Sequence, residues 1–212
     1  MSIQSKAFNS RRVIPIRAAR ENLAKWNRRV GQKLDQEQYA LAKKLRKPRN
    51  SDAFAALEAL YDYVDRVYAH ADTLVACRKG CAWCCHIPVH VTMLEIQHIA
   101  AKTGAPLDQH LVHSDLASTP TNSDPLYPCP FLRNNECSIY EHRPMSCRTH
   151  VNFEPTDELC RFDAPKGEQV LLVDRAKSFP AIFQTFFALG APNVRQLCEL
   201  RDYFRSGIPK TT

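Results

Sequence analysis

Nine cysteines in one chain restrict what it can fold into, and four of them fall within nine residues. The stretch CRKGCAWCC carries Cys77, Cys81, Cys84 and Cys85. A second group, Cys129, Cys137 and Cys147, follows about fifty residues later, and Cys160 comes after it. In a reducing compartment such thiols stay free, and clustered thiols then bind metal or carry out redox chemistry. Soft thiolates favour zinc, Cu(I) and iron–sulfur centres. The spacing therefore predicts a metal site.

The number of thiols leaves the form of that site open. A closed zinc site needs about four ligands, and seven or eight cysteines exceed this number. There are either two centres, or one centre with spare thiols beside it, or some structural cysteines. We take Cys198 as structural because it falls on the apolar stripe of a predicted helix. His86, His90 and His150 lie near the cysteines in sequence, but thiols already outnumber the sites, so we interpret these histidines as bystanders.

Composition predicts a folded chain outside the membrane. Hydrophobic residues make up 44% of the 212 residues, which is enough for a core. No apolar run approaches the roughly 18 residues that a membrane span needs, and the first residues lack the pattern of a secretory signal. We therefore expect a cytoplasmic protein with no membrane partner.

The positive charge is concentrated in the first 50 residues. Residues 1–50 hold 14 Lys and Arg against three acidic residues, a net charge of +11, whereas residues 51–212 hold 15 against 19, a net charge of −4. Apolar residues recur at helical spacing along this arm: Ile16, Ala19, Leu23, Trp26, Val30 and Leu34. The pattern favours a helix docked on the rest of the chain. The alternative is a basic arm that binds nucleic acid.

The predicted fold class is mainly α, with irregular metal-bound loops and one or two short strands. We divide it into a basic amphipathic arm (1–50) and a single small metal-binding domain (51–212). A second helix is predicted from about residue 53, and a third begins at Thr92, whose spacing to Glu95 is that of a capping box, and ends at Gly104. Residues 114–136 read as loop, and strands are predicted at 138–140 and 169–174. Two helices, ending at Gly190 and Gly207, are predicted to close the chain.

A joint motif links the two cysteine groups. CRKGCAWCC is followed by Thr92 and Glu95, then by CPFL and CSIYEHRPMSCR. This arrangement resembles the YkgJ-type cysteine-cluster family, also called the CxxCxxCC or zinc- or iron-chelating domain. The resemblance covers residues 77–148 and implies that the cysteines chelate zinc or iron, including iron as a 4Fe–4S cluster. The expected metal ligands are Cys77, Cys81, Cys84, Cys85, Cys129, Cys137, Cys147 and Cys160.

Arg143 and Arg148 flank Cys147 and have two interpretations. They either compensate the charge of a thiolate-rich centre or an anionic substrate, or they form ion pairs with Glu95 or Glu141. We record both as candidate cofactor-binding residues. Tyr140 is interpreted as a packing residue and Trp83 as a shield for the sulfurs.

Three functions are consistent with the sequence. The first is a metal-binding protein for zinc or iron, with iron slightly favoured by the surplus of thiols. The second is a cluster-dependent enzyme, because flagellin lysine methylases carry a similar cysteine region. Cys77, Cys81 and Cys84 also have the spacing of radical S-adenosylmethionine enzymes, but the chain lacks the strands of their barrel. The third is a zinc-stabilised module for nucleic-acid or protein interaction.

Overall fold

The structure is a computed structural model that describes residues 3–46, 53–78, 80–107, 128–161, 164, 170–190 and 197–204, with side chains from residue 17 onward. It is mainly helical with a few short strands, which confirms the predicted fold class. The helices are α1 (Ile3–Leu45), α2 (Ala53–Ala69), α3 (Met93–Thr103), α4 (Met145–Thr149), α5 (Arg175–Ser178), α6 (Pro180–Gly190) and α7 (Leu200–Tyr203). The strands are β1 (His90–Val91), β2 (Leu132–Arg133), β3 (Glu136–Cys137) and β4 (Cys198–Glu199). None of the helices in these ranges is long and apolar enough to cross a membrane.

The N-terminal helix α1 packs on the rest of the chain through its apolar stripe. Trp26 is 2% exposed, stacks on Tyr68 with ring centroids 5.3 Å apart, and donates a hydrogen bond from Nε1 to the carbonyl of Val67. Leu23, Val30 and Leu34 pack beside it. These contacts match the docked alternative for the arm. The side chain of Ile16 lies outside the described residues.

Gly31 breaks α1 into two helical segments. Its backbone has φ 63° and ψ 175°, a conformation that is essentially restricted to glycine. The kink lies between Val30 and Leu34, both of which contact the body of the protein. The break therefore lets both segments keep their apolar faces inward.

Two hydrophobic cores organise the chain. The first core joins α1, α2 and α6 around buried residues that include Trp26, Leu57, Leu60, Val64, Phe153, Phe179, Ile182 and Phe186. The second core joins β1, α3, the β2–β3 hairpin and α7 around Val91, Ile96, Ile99, Phe131, Ile139, Leu200 and Phe204. Cys129, Cys137 and Cys147 pack against the second core.

Helix α3 begins and ends as predicted. The Thr92 hydroxyl accepts a hydrogen bond from the backbone N–H of Glu95, and the Glu95 carboxylate accepts one from the backbone N–H of Thr92, which completes the capping box. Gly104 closes the helix in the left-handed conformation, with φ 69°. These local signals fix where α3 begins and ends.

Several predicted elements differ in the structure. The strand predicted at 138–140 is instead β3 (Glu136–Cys137), followed by a 3₁₀ turn at Tyr140–His142. Residues 170–174 have no regular structure, so the strand predicted at 169–174 is wrong over that range. The helix predicted to contain Cys198 is also wrong, because Cys198 pairs with Val91 in the antiparallel β4–β1 ladder and only Leu200–Tyr203 is helical. The predicted bounds at residues 48–52, most of the 114–136 loop and Gly207 lie outside the described residues.

Candidate metal centre

Seven of the eight predicted ligands line one cleft. It has a volume of about 1250 Å³, and its wall includes Cys77, Cys81, Cys84, Cys85, Cys129, Cys137 and Cys147. His150, Arg175, Phe183 and Phe187 line another part of the wall, so the cleft is larger than the cysteine cluster. All nine cysteines are free thiols with intermediate exposure.

The first cysteine stretch does not form one continuous helix. Gly80 has φ +85°, which a continuing helix excludes. Cys81 and Cys85 donate backbone hydrogen bonds to residues three positions earlier, at 3.0 and 2.9 Å, and Trp83–His86 forms a 3₁₀ turn. The chain therefore winds around the cleft in tight turns.

Asn152 hydrogen-bonds to both Cys77 and Cys160, which are far apart in sequence. Its backbone N–H donates to Cys77 Sγ, and its side-chain Nδ2 donates to Cys160 Sγ, both at 3.3 Å. Asn152 is 1% exposed, and its Oδ1 accepts from the backbone N–H of Glu154 at 2.8 Å. The structure thus brings Cys160 to the first cysteine group. Nothing in the sequence pattern singles out Asn152.

A tight hairpin carries Cys137 on its second strand, and Cys129 lies three residues before its first strand. The two residues of its turn, Asn134 and Asn135, have φ of 49° and 59°, as a type I′ turn requires. The backbone N–H of Cys129 donates to the carbonyl of Cys85 at 2.6 Å, which ties the hairpin to the end of the first cysteine stretch.

Cys147 lies on α4, and Glu95 holds the start of that helix. The Glu95 carboxylate is fully buried and accepts hydrogen bonds from the Met145 backbone N–H at 2.7 Å and from the Tyr61 hydroxyl at 2.8 Å. Burial raises the pKa of Glu95, and these hydrogen bonds oppose that shift. Glu95 therefore links α2 and α3 to the helix that carries Cys147.

Burial shifts the cysteine thiols towards their neutral form. It raises the pKa of Cys129 to about 12 and that of Cys160 to about 11. For Cys84 the hydrogen bond with the Cys85 thiol raises the pKa first, and burial adds to it. Neighbouring thiols also oppose one another's ionisation: Cys129, Cys84 and Cys137 all raise the pKa of Cys147. A bound cation reverses this balance because a coordinating thiol is deprotonated.

Arg143 and Arg148 are held beside the cysteines by Asp65, which the sequence did not indicate. Both guanidinium groups pair with the Asp65 carboxylate, and Arg148 also donates to the carbonyls of Arg143 and Glu141. The predicted ion pairs with the Glu95 and Glu141 carboxylates are therefore replaced by pairs with Asp65, because α2 places Asp65 within reach of both arginines. The nearby Arg143 charge lowers the pKa of Cys77, Cys84 and Cys137 against the effect of burial.

Aromatic rings complete the setting of these arginines. The Arg148 guanidinium lies 4.2 Å from the ring centroid of Tyr61, and that of Arg143 lies 3.8 Å from the ring centroid of Tyr140. Tyr140 is 63% exposed, so its interpretation as a packing residue is wrong. Its ring covers Arg143 from solvent instead.

The histidines and Trp83 lie around the cysteines in different ways. His90 and His150 line the cleft, and burial lowers the pKa of His150. His86 lies in the 3₁₀ turn with Cys84 and Cys85. Trp83 donates from Nε1 to the Asp157 carboxylate at 2.9 Å. Cys198 contacts Met93, with 3.8 Å between their sulfur atoms.

The donor set fits zinc or iron. The cleft wall offers several thiols and nearby cationic groups, whereas calcium and magnesium prefer oxygen ligands. Within the described residues, no group of three or more His, Cys, Asp or Glu side chains is arranged to hold a metal ion. The seven cysteines therefore line the cleft as separate thiols.

Comparison with known proteins gives one family. A family model named CxxCxxCC, described as "Putative zinc- or iron-chelating domain", matches residues 76–163, which include the eight predicted ligands. No curated protein and no solved structure matches the chain. The match confirms the family resemblance and the predicted metals, zinc or iron. Residues 76–163 are therefore similar to the CxxCxxCC family of cysteine-rich domains.

Proposed function

We propose that the cysteines around the cleft are the ligands through which this domain holds its metal. The proposed ligands are Cys77, Cys81, Cys84, Cys85, Cys129, Cys137, Cys147 and Cys160. The observation that carries the proposal is that seven of these cysteines line one cleft, with Cys160 connected to Cys77 through Asn152. Cys198, which contacts Met93 in the β4 region, is left out.

We further propose iron, in an iron–sulfur cluster, as the metal. The thiols outnumber the four ligands of a single zinc ion. Hydrogen bonds to sulfur and nearby charge are features that tune iron–sulfur centres, and Asn152 and Arg143 supply them here. When bound, such a cluster supplies electron transfer. Its proposed compartment is the reducing cytoplasm, where thiols stay free.

The test is the metal and acid-labile sulfide content of the full chain purified without oxygen. Iron with equimolar sulfide and a brown chromophore supports the proposal. Colourless zinc bound by the same cysteines overturns the choice of iron and keeps the ligand set. A folded chain that binds neither metal overturns the whole proposal.

The role of Arg143 and Arg148 at this site is part of the proposal. Asp65 and the rings of Tyr61 and Tyr140 hold both guanidinium groups beside the cleft. There they offset the negative charge of a centre built from thiolates. The lysine-methylase-like and nucleic-acid hypotheses stay predictions. For the second of these, salt-dependent binding that disappears on removal of residues 1–50 is the deciding measurement.

A further inference from the structure

Part of the cleft lining is built without cysteine. Cys129, Cys137 and Cys147 pack against the second core. Other lining residues are members of the first core or pack against it, namely Val173, Phe183, Phe186 and Phe187. We call these four residues, together with Arg175 and His150, the phenylalanine wall of the cleft. None of the six is a proposed metal ligand, so this wall needs an explanation of its own.

The cleft is large enough to hold an organic molecule as well as a metal centre. Its volume of about 1250 Å³ exceeds the roughly 300–1,000 Å³ of ordinary ligand pockets. A metal stays close to its thiolates, at about 2.3 Å from sulfur in a zinc site. The phenylalanine wall therefore faces space that a metal centre bound to the cysteines does not fill.

Two rings of helix α6 form the apolar part of this wall. Phe183 and Phe187 lie one helical turn apart and therefore share a face of the helix. Phe186 is 4% exposed, and its ring centroid lies 6.2 Å from that of Phe183 and 5.3 Å from that of Phe187. Phe183 and Phe187 are only partly buried, so they present apolar surface to the cleft.

Arg175 supplies a fixed cation beside these rings. Its Nη1 donates a hydrogen bond to the Thr149 hydroxyl at 3.2 Å, and that hydroxyl donates to the Met145 carbonyl at 2.8 Å. The guanidinium carbon lies 6.0 Å from the ring centroid of Phe183. Arg175 is thus tied to helix α4 on one side and lies near the apolar wall on the other.

The charge of Arg175 is not matched by a carboxylate among the described residues. The adjacent Asp174 is already engaged, because its carboxylate accepts from the backbone N–H of Lys177 at 3.2 Å and pairs with the Lys177 ammonium at 3.3 Å. His150 adds a polar group to the wall: burial, and after it the charge of Arg175, lower the pKa of His150 and favour the neutral imidazole. An anion at this wall therefore meets a guanidinium with N–H groups to spare.

We infer that the phenylalanine wall binds a small organic carboxylate with an apolar body. The carboxylate pairs with the Arg175 guanidinium, whose planar donors suit that group, and the body packs on Phe183 and Phe187. One guanidinium in an apolar wall balances one negative charge, which favours a carboxylate over a phosphate group of charge about −2. Only the position of this ligand next to a metal rests on the proposed function, because the wall itself contains no cysteine.

The first test is a calorimetric titration of the full chain, purified without oxygen and with its metal, with hydrocinnamate. We expect hydrocinnamate to bind at least about 10-fold more tightly than its neutral amide and than propionate, which lacks the ring. Equal affinity for the acid and the amide overturns the pairing with Arg175, and equal affinity for propionate overturns the apolar contact. No heat of binding at about 10 mM hydrocinnamate overturns the site altogether.

The second test removes the cation. Arg175→Gln keeps a donor for Thr149 but loses the charge, so the affinity for hydrocinnamate should fall by about 10–100-fold and the preference over the amide should disappear. Arg66→Gln is the matched control, because its guanidinium also lies near a ring, 5.8 Å from the centroid of Tyr63, but outside the cleft lining. An unchanged preference in Arg175→Gln overturns the inference. If circular dichroism shows that this variant is unfolded, the wild-type comparison of acid and amide decides.

The metal content of the same samples separates this inference from the proposed function. A chain that binds hydrocinnamate with the expected preference but holds no metal keeps the carboxylate site and overturns the proposed function. A chain that holds its metal on the cysteines but binds no hydrocinnamate keeps the proposed function and overturns the carboxylate site.

Discussion

The carboxylate of Glu95 accepts a hydrogen bond of 2.7 Å from the backbone N–H of Met145, two residues before Cys147. The same carboxylate accepts from the hydroxyl of Tyr61 at 2.8 Å and from the backbone N–H of Thr92 at 2.9 Å. One buried acceptor therefore connects three helices at the point where a proposed ligand enters the cleft. These contacts give Glu95, which lies ten residues after Cys85, a structural role in the motif.

Replacing this glutamate is expected to destabilise the protein. In Glu95→Gln an amide NH₂ takes the place of an acceptor oxygen, which leaves a buried donor such as the Met145 N–H without its partner. We expect the free energy of unfolding to fall by about 2–3 kcal/mol, measured by urea denaturation. Glu37→Gln is the control, since Glu37 is 35% exposed in its pair with the 57% exposed Arg66 and should cost less than about 1 kcal/mol. Equal losses in the two variants would contradict this role for Glu95.

Asn152 is expected to raise the metal affinity of the site through its hydrogen bond to the Cys160 sulfur. Asn152→Ala removes the side-chain donor to Cys160 and the acceptor that holds the Glu154 N–H. Outer hydrogen bonds of this kind typically change metal affinity by about 10–100-fold. We expect a loss in that range in Co²⁺ affinity, together with a shift of the thiolate–metal absorption.

Asn22→Ala provides the matched control for Asn152. Asn22 also donates its side-chain N–H groups to a buried segment, at the carbonyl of Phe153, but contacts no sulfur in the structure's described hydrogen bonds. Its removal should leave the absorption spectrum unchanged. If both variants shift the spectrum alike, the effect comes from the loop and not from the bond to Cys160.

Replacing Arg148 by lysine is expected to destabilise the protein. Its guanidinium donates in three directions, to the Asp65 carboxylate and to the carbonyls of Arg143 and Glu141, and a lysine has no such planar fork. We expect Arg148→Lys to lower the free energy of unfolding by about 2–3 kcal/mol, because buried acceptors lose charge-assisted hydrogen bonds. Arg133→Lys, on the exposed hairpin, should change it by less than about 0.5 kcal/mol. An unchanged free energy of unfolding in Arg148→Lys would refute the inference that the planar guanidinium is required.

Tyr63 is expected to make the free energy of unfolding fall as the pH rises into the alkaline range. Its hydroxyl donates to the carbonyl of Leu34 in α1 at 2.9 Å, and burial raises its pKa to about 12. The unfolded tyrosine ionises near pH 10. Its contribution to stability is therefore complete below about pH 10 and is lost as the pH rises towards about 12.

The comparison of wild type with Tyr63→Phe isolates this effect from the ionisation of the thiols. The variant is expected to be about 1 kcal/mol less stable at pH 8, where it lacks the hydrogen bond, and its disadvantage should shrink as the pH rises above about 10. Urea unfolding across this pH range measures the difference. Tyr39→Phe, at a position that is 55% exposed, should run parallel to wild type. A constant difference for Tyr63→Phe would show that this hydroxyl is not the titrating group.

Local sequence signals predicted what depends on local contacts. The capping box of Thr92 and Glu95 and the stop at Gly104 form as expected, because each joins residues within one or two helical turns. Trp26 lies in the first core as its spacing in the amphipathic stripe indicates. Seven of the eight cysteines that the motif marks also line one cleft, and their role as metal ligands stays a prediction.

Contacts between distant segments account for the errors. Asp65 meets Arg143 and Arg148 across about eighty residues of chain, and no local pattern encodes that encounter. Cys198 forms a strand because β1 offers a partner at Val91, which overrides the helical periodicity around it. The same holds for Asn152, whose two bonds to sulfur become visible only once residues 77 and 160 are brought together.

Replacing Gly31 by alanine tests whether the N-terminal helix is kinked, because a kinked and a straight helix predict opposite changes in the free energy of unfolding. In a straight helix, replacing glycine by alanine stabilises by up to about 1 kcal/mol. At Gly31 the backbone has φ 63° and ψ 175°, which strains alanine, while a Cβ there would meet no atom within 4 Å. We therefore expect Gly31→Ala to lower the free energy of unfolding by about 1–3 kcal/mol, through backbone strain alone.

The control for Gly31 is Gln36→Ala, at an exposed position of the same helix, which should change stability by less than about 0.5 kcal/mol. Urea denaturation of the three proteins, performed side by side, gives the comparison. A stabilised Gly31→Ala would mean that α1 runs straight through this residue. The segment after Gly31 would then point away from the rest of the protein. Leu34 could not then contact the first core or accept the hydrogen bond from the Tyr63 hydroxyl. A destabilised variant supports a kink that keeps both segments of the arm against the first core.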